Sequence, residues 1–399
     1  MSVRRDTRGV WQRPTLRTDE EFDRHRPVGW LELFFDLVFV VVIARLAHHL
    51  AGHVDVTGLV VFALQFVAVF WVWSAFTYYT ERFESDGLEN RLFAFLGIVP
   101  VAGLAVFGEE GLGESFVGFA LSYLLARAVN IGTWIRAGFH VPAFRPVAIR
   151  FVIGFSVVVA VMLASLTASG DTRLALWSVA VALDIATPYF TIGQQALLPR
   201  LSTSKFPERF GLFTIIVLGE SVVGVIAGLS DLNDTGALDG LGMVQGVVGL
   251  AIGFGMWWIY FDFIARRPPR PTFATNLGWV YLHLVAVTSI TVIGVGVSVV
   301  IADAAAGPVS DASRHLLTGG VVVGLVAIAA LETTLARRDD EPTHPRLSPA
   351  LKIASAAAVG VLASIDLGWS ALALLGVLLA GLIVSAAYGA WVWYTQPLE

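Results

Sequence analysis

Trp30-Leu31-Glu32-Leu33-Phe34-Phe35-Asp36-Leu37-Val38-Phe39-Val40-Val41-Val42-Ile43-Ala44 decides how this chain is read. The stretch is apolar enough to cross a bilayer, yet it carries Glu32 at its mouth and Asp36 inside. A carboxylate at that depth costs roughly 2.5–3.5 kcal/mol on the gentler insertion scale, so its presence asks for a physical reason. Glu32 and Asp36 stand four apart and share a helix face with Phe39, Val40 and Ile43. That face runs from acidic at one end to apolar at the other.

The composition agrees with a membrane reading. The 399 residues are 56% hydrophobic and only 14% charged, whereas charged residues make up about 25% of a soluble domain. Apolar runs of about 20 residues recur between short polar connections, the pattern of transmembrane helices. There is no cysteine, which excludes disulfides, thiolate metal sites and a catalytic thiol. Residues 1–29 hold seven arginines with no small-residue cleavage site before the first apolar run, so they read as an Arg-rich cytoplasmic tail.

The expected fold is all-α and polytopic, with about twelve helices near 30–50, 56–79, 92–107, 115–135, 149–168, 174–190, 211–229, 243–264, 277–302, 316–336, 351–367 and 370–394. Charge distribution tests that division. With the N-terminus inside, only Arg173 and Arg314 of the 26 lysines and arginines fall in outside loops and only Arg45 and Arg127 lie deeper within spans; the rest, with Arg150 and Lys352 at the very start of their spans, are on the inside. The acidic connections Gly108-Glu109-Glu110 and Ser230-Asp231-Leu232-Asn233-Asp234 fall outside. Such a bias at every turn is the positive-inside rule, and one missed helix would scramble it. Both termini are therefore expected in the cytoplasm. Helices in 30–190 and 211–394 would form two parallel six-helix halves joined by a cytoplasmic connection, 191–210.

Four motifs carry a resemblance. Glu-Leu-Phe-Phe-Asp-Leu-Val-Phe-Val, from Glu32, resembles the opening motif of the bacterial low-temperature-requirement A family. Glu208-Arg209-Phe210-Gly211-Leu212-Phe213 running into Leu218-Gly219-Glu220-Ser221, then Trp257-Trp258-Ile259-Tyr260-Phe261-Asp262, then Tyr281-Leu282-His283-Leu284 are similar to later motifs of the family, in its order. The resemblance implies a multi-pass protein of the bacterial cytoplasmic membrane, linked to growth in the cold. It implies no particular chemistry.

The candidate pathway residues are Glu32, Asp36, Arg127, Asn130, Asp184, Glu220, Asp262 and His283. Glu220 sits near mid-span, and Gly224 and Gly228 follow on its face, where they would let another helix approach closely. Asp184 precedes Pro188 by four residues, so the proline leaves the Asp184 carbonyl without its helical partner. An acid beside a freed carbonyl suits a proton or a hard cation, or else a kink whose acid pairs with a neighbour. Tyr123, Arg127, Asn130 and Trp134 share a face of the fourth helix. Arg127 reads either as counter-ion to Asp36 or Asp184 or as a clamp on an anionic substrate. His283 reads as a hydrogen-bonded core residue or as a proton relay. His49 and His53 have metal-pair spacing but no third ligand nearby in sequence. No phosphate loop, dinucleotide fingerprint or serine elbow is present, and the sequence names no cofactor. The basic residues follow the membrane orientation and give no sign of nucleic-acid binding.

Charge arithmetic favours transport. Asp36, Asp184 and Glu220 lie at depth with Arg127 as the one permanent cation there, so an acid must be protonated, hold an ion or pair with His283. The first expectation is a secondary transporter or ion pathway for a small ion or small molecule, surrounded by membrane lipids and with room for a homo-oligomer. The alternative is an intramembrane enzyme acting on a lipid or isoprenoid through Asp36, Asp262 and His283, or a sensor without turnover. Topology is directly testable. Reporter fusions in the Gly108–Glu114 and Ser230–Leu241 loops should report the outside, and either one in the cytoplasm would overturn the twelve-helix scheme.

Overall fold

A computed structural model describes residues 11–17, 28–84, 87–265, 267–304, 307–337, 341 and 343–395. Most of the Arg-rich tail, residues 1–10 and 18–27, and the loop cations Arg266 and Arg338 lie outside the described residues. Twelve long helices follow in order: α1 (Trp30–Gly52), α2 (Val56–Arg82), α3 (Leu88–Phe107), α4 (Phe116–His140), α5 (Arg145–Leu166), α6 (Gly170–Ala186), α7 (Lys205–Asp234), α8 (Gly240–Tyr260), α9 (Phe273–Asp303), α10 (Asp311–Thr334), α11 (Leu347–Ser364) and α12 (Ala371–Thr395). Eleven, all but α1, are long and apolar enough to cross a membrane by length and composition. The chain is thus an all-α, multi-pass membrane protein. Large apolar side chains stand exposed along these helices, among them Phe95, Ile153, Val247 and Val361, as lipid contact allows.

The chain packs as two compact units. The first comprises Met1–Val42, Leu64–Phe206 and Thr272–Ala274; the second comprises Ile43–Ala63, Pro207–Pro271 and Thr275–Glu399. In the first unit α3, α4, α5 and α6 pack in sequence order, each against the next, as short connections dictate. Its aromatic core is built on Trp134, stacked on Phe151 with ring centroids 4.8 Å apart and on Phe144 at 5.6 Å. Part of the polar N-terminal segment docks there. Thr15–Leu16 pairs antiparallel with Phe83–Glu84, and Arg17 donates to Glu81 at 2.8 Å. Composition alone could not show that docking, because two residues of strand carry no periodic signal.

α6 ends where its proline requires. The α-helix stops at Ala186, a 3₁₀ turn covers Thr187–Thr191, and a single α-turn follows to Gln195. A ring at Pro188 cannot donate and crowds the carbonyl one turn back, so the tighter helix is the accommodating form.

In the second unit α10, α11 and α12 pack in order, and α12 also packs on α8. α9 is apolar all round and the most enclosed span, with 83% of its apolar window buried against 28% for α3. A helix without a polar face belongs inside. α7 meets α9 along small residues. A Cβ on Gly224 would lie 3.3 Å from the Gly294 carbonyl oxygen, and one on Gly228 would lie 3.3 Å from that of Ser298. The expected close approach at Gly224 and Gly228 is therefore realised, with α9 as the partner. Gly294 is the tightest point, since its Cβ would stand 2.7 Å from the Ser221 Cα. Backbone cannot yield there as a side chain can. Gly294→Ala should cost about 1–3 kcal/mol and lower the melting temperature in detergent. Gly219→Ala, where a Cβ meets nothing within 4 Å, should leave it unchanged or slightly raised.

Candidate functional site

The most enclosed polar group in the first unit is centred on Asp184, in the middle of the helical run Gly170–Gln195. Arg127 of α4 forms an ion pair with its Oδ2, and the Tyr123 hydroxyl donates to the same oxygen. Arg127 also donates to the Tyr123 oxygen at 3.2 Å and to Asn130 Oδ1 at 3.1 Å. Its guanidinium lies 5.1 Å from the ring centres of both Tyr123 and Phe155, so the ring faces share the positive charge. Arg127, Tyr123 and Asn130 are all 0% exposed. The four-and-three spacing on α4 that put them on one face lets a single helix deliver two donors, Tyr123 and Arg127, to one carboxylate, with Asn130 holding the guanidinium.

Of the two counter-ion readings for Arg127, the pairing is with Asp184. The carbonyl freed by Pro188 is also engaged. The Trp71 indole donates to the Asp184 backbone oxygen at 2.9 Å, and the Thr187 amide bonds it as well. Two protein donors therefore occupy the position that the sequence offered to a cation. Asp184 Oδ1 and Asn130 Nδ2 are buried with no hydrogen-bond partner among the described residues.

Asp36 is 0% exposed and accepts from the Trp73 indole at 2.8 Å. Trp71 and Trp73, two residues apart on α2, thus serve acids on two different helices. Their donor role had no sequence signal, since an indole in a span is ordinary core or interface material. Glu32 lies at the mouth of α1, held by Lys205 at 2.6 Å and by the Gly29 amide at 2.9 Å.

In the second unit, His283 is wholly enclosed. Its Nδ1 lies 2.9 Å from the Trp279 carbonyl and its Nε2 lies 2.9 Å from the Tyr260 hydroxyl. A carbonyl can only accept, so Nδ1 carries the proton and Nε2 accepts from Tyr260. The Trp279 ring lies 3.9 Å from the imidazole centre and the Phe210 ring 5.1 Å. Both ring nitrogens are thus used. Asp262 sits in a π-helical turn after α8 and accepts from Trp258 at 2.6 Å. His53 turns its Nδ1 to the His49 carbonyl at 2.9 Å.

Glu220 is different. It lies at the centre of the 30-residue α7 and is partly buried. It makes no hydrogen bond or ion pair with any described residue. The neighbouring Gly219, Val222 and Val223 are exposed, while Ser221 bonds the Ile290 carbonyl of α9 at 3.2 Å. Glu220 therefore stands at the edge of the α7–α9 seam, between the packed face and the open one.

A buried charge cluster escaped the sequence reading. Glu332, near the end of α10, receives Lys352 at 3.0 Å, Ser348 at 2.9 Å and Arg267 at 3.4 Å. Arg267 also lies 3.7 Å from Glu341, and the Lys352 ammonium lies 3.4 Å from the Phe263 ring centre. By sequence, Lys352 and Arg267 count only toward the inside charge bias. The i, i+4 spacing of Ser348 and Lys352 was the available clue that both face one side of α11.

The family model described as bacterial low temperature requirement A protein matches residues 27–384. A protein of Rhizobium meliloti (strain 1021), itself described only as uncharacterised, is 27% identical over 290 residues, covering 66% of this chain and 67% of its own. The match runs from just before α1 into α12 and takes in every residue placed above: the chain belongs to the bacterial low temperature requirement A family.

Proposed function

We propose that the chain provides an ion pathway or secondary transporter in which Glu220 is the exchangeable carboxylate. One observation carries this reading. Of the three acids at depth, Asp184 is compensated by Arg127 and Asp36 is bonded by Trp73, while Glu220 has no partner among the described residues. A carboxylate without a protein partner near mid-span must be protonated, hold a cation or face water. Each of these is a state that transport can use, since a group that must bind and release cannot be fully satisfied by its own protein. The geometry gives less support to an intramembrane enzyme. His283 is enclosed with both nitrogens occupied, and Asp262 is held by an indole.

Purified protein in proteoliposomes, under imposed H⁺, Na⁺ or K⁺ gradients, tests the reading. Wild type should dissipate at least one gradient, and Glu220→Gln should fall to the level of protein-free vesicles while inserting normally. Glu220→Asp should retain part of the flux. Full flux in Glu220→Gln would remove Glu220 from the pathway, and silence of wild type toward all three ions would end the ion reading.

Asp184 should behave in the opposite manner. Arg127→Gln leaves its charge buried without a cation and should cost about 3–5 kcal/mol, seen as a large fall in melting temperature. Asp184→Asn in the same chain should recover part of that loss, because the orphaned charge is then gone. Additive losses in the double variant would contradict the pairing.

A further inference from the structure

At one end of the first unit a cavity of about 370 Å³ opens between the start of α1, the end of α2, the start of α3 and the last turns of α4. That volume lies in the range of small-molecule sites, about 300–1,000 Å³. Its walls include Arg91, Arg136, Lys205, Asn90, Tyr79 and Glu32. Lys205 is answered by Glu32 at 2.6 Å. The two arginines are not answered in that way. Arg136 donates to the Gln12 carbonyl and is held between rings, 5.7 Å from the Trp11 centre and 5.4 Å from that of Phe93. Neither Arg136 nor Arg91 has a carboxylate partner among the described residues. The Tyr79 hydroxyl and the Asn90 amide also lack hydrogen-bond partners there. Gly87, the N-cap of α3, caps with no side chain, and the buried carboxylate of Glu89 in the first turn folds back over it and accepts from the Gln12 amide, so the helix end is answered there and the arginines carry the positive charge of the cavity.

The cavity therefore combines two guanidiniums that have no carboxylate partner among the described residues with neutral donors and one carboxylate already engaged by a lysine. Guanidinium forks match the paired oxygens of a phosphate. The adjoining outer surface is apolar: Trp30 is 87% exposed, and Phe34, Leu88, Leu92 and Phe95 stand out from α1 and α3. An anion with a hydrocarbon tail can satisfy both surfaces at once. We propose that this cavity binds the phosphate of an anionic phospholipid headgroup, with Arg91 and Arg136 as its ligands and the acyl chains along the exposed faces of α1 and α3. The arginine distribution assigns this end to the cytoplasmic leaflet, where basic pockets between spans meet anionic headgroups. The net positive lining disfavours a choline headgroup, whose own cation would enter beside two arginines.

The test uses the full chain in detergent, titrated separately with dioleoylphosphatidylglycerol, dioleoylphosphatidylcholine and inorganic phosphate, and read by native mass spectrometry and melting temperature. Phosphatidylglycerol should bind and stabilise wild type, and the other two should not. Arg91→Gln should weaken phosphatidylglycerol binding roughly fivefold, as expected for one cation at an anionic surface. Arg91→Gln with Arg136→Gln should abolish it, whereas Arg150→Gln, outside the cavity on α5, should have no effect. Arg136 also anchors Gln12, so its removal acts on folding as well as on binding. Arg91 makes no such contact, and its single substitution then decides. Unchanged binding in Arg91→Gln, or equal binding of the two lipids, would overturn the proposal. Stabilisation by inorganic phosphate equal to that by phosphatidylglycerol would assign the cavity to a free anion and overturn the lipid assignment.

Discussion

A charge enclosed within an apolar span needs a partner, and the ion pair of Arg127 with Asp184 is where this constraint acts most strongly. Both residues are fully enclosed, so water cannot supply what a partner leaves undone. The pair survives because the surrounding groups share the load. Tyr123 donates to the carboxylate, Asn130 accepts from the guanidinium, and two ring faces cover the cation. Taking both charges out of water still costs several kcal/mol per ion, so the pair is a weak source of net stability. What it does supply is position. Arg127 fits one carboxylate, and that fixes α4 against α6.

The same economy governs the helix ends. Basic residues gather there, yet several are not solvated. Arg17 is committed to Glu81, Lys205 to Glu32, and Arg267 and Lys352 to Glu332. Lys352 rests on the Phe263 ring as well. A cation at the interface can satisfy the membrane's charge asymmetry and pin two helix ends together, because its long stem reaches inward while its charge stays near the polar boundary. The loop pairing of Pro269 with Leu335 and the Ala336 amide bond to the Pro268 carbonyl close the region around Glu332 from the backbone side.

These features were unequally legible. Hydropathy located the twelve helices, eleven of which are long and apolar enough to span, because such a run is a local property of the chain. It missed their polar ends: α7 begins at Lys205 and α4 continues to His140, since terminal turns emerging from the apolar layer no longer need apolar residues. Spacing revealed the glycine seam beside Glu220 and the polar face of α4. The proline rule located the freed carbonyl at Asp184. None of these could name what lay opposite. That Trp71 takes the carbonyl, that Trp73 takes Asp36 and that Lys352 reaches Glu332 are facts of tertiary pairing. Periodicity identifies which face of a helix looks inward and is silent about which helix it meets.

The division among the three deep acids follows from that distinction. Asp184 and Asp36 lie opposite residues that can donate, and each is drawn into the packing. Glu220 lies beside Gly224 and Gly228, whose value is that they bring no side chain. A seam of small residues lets α7 and α9 approach closely, and by the same token it offers a neighbouring carboxylate nothing to bond. Close packing and an unanswered acid are thus two consequences of one sequence choice. Were Glu220 only a packing residue, an apolar side chain of its size would fill the place without the insertion penalty of an acid. The cost becomes intelligible when the carboxylate's partner is something that comes and goes.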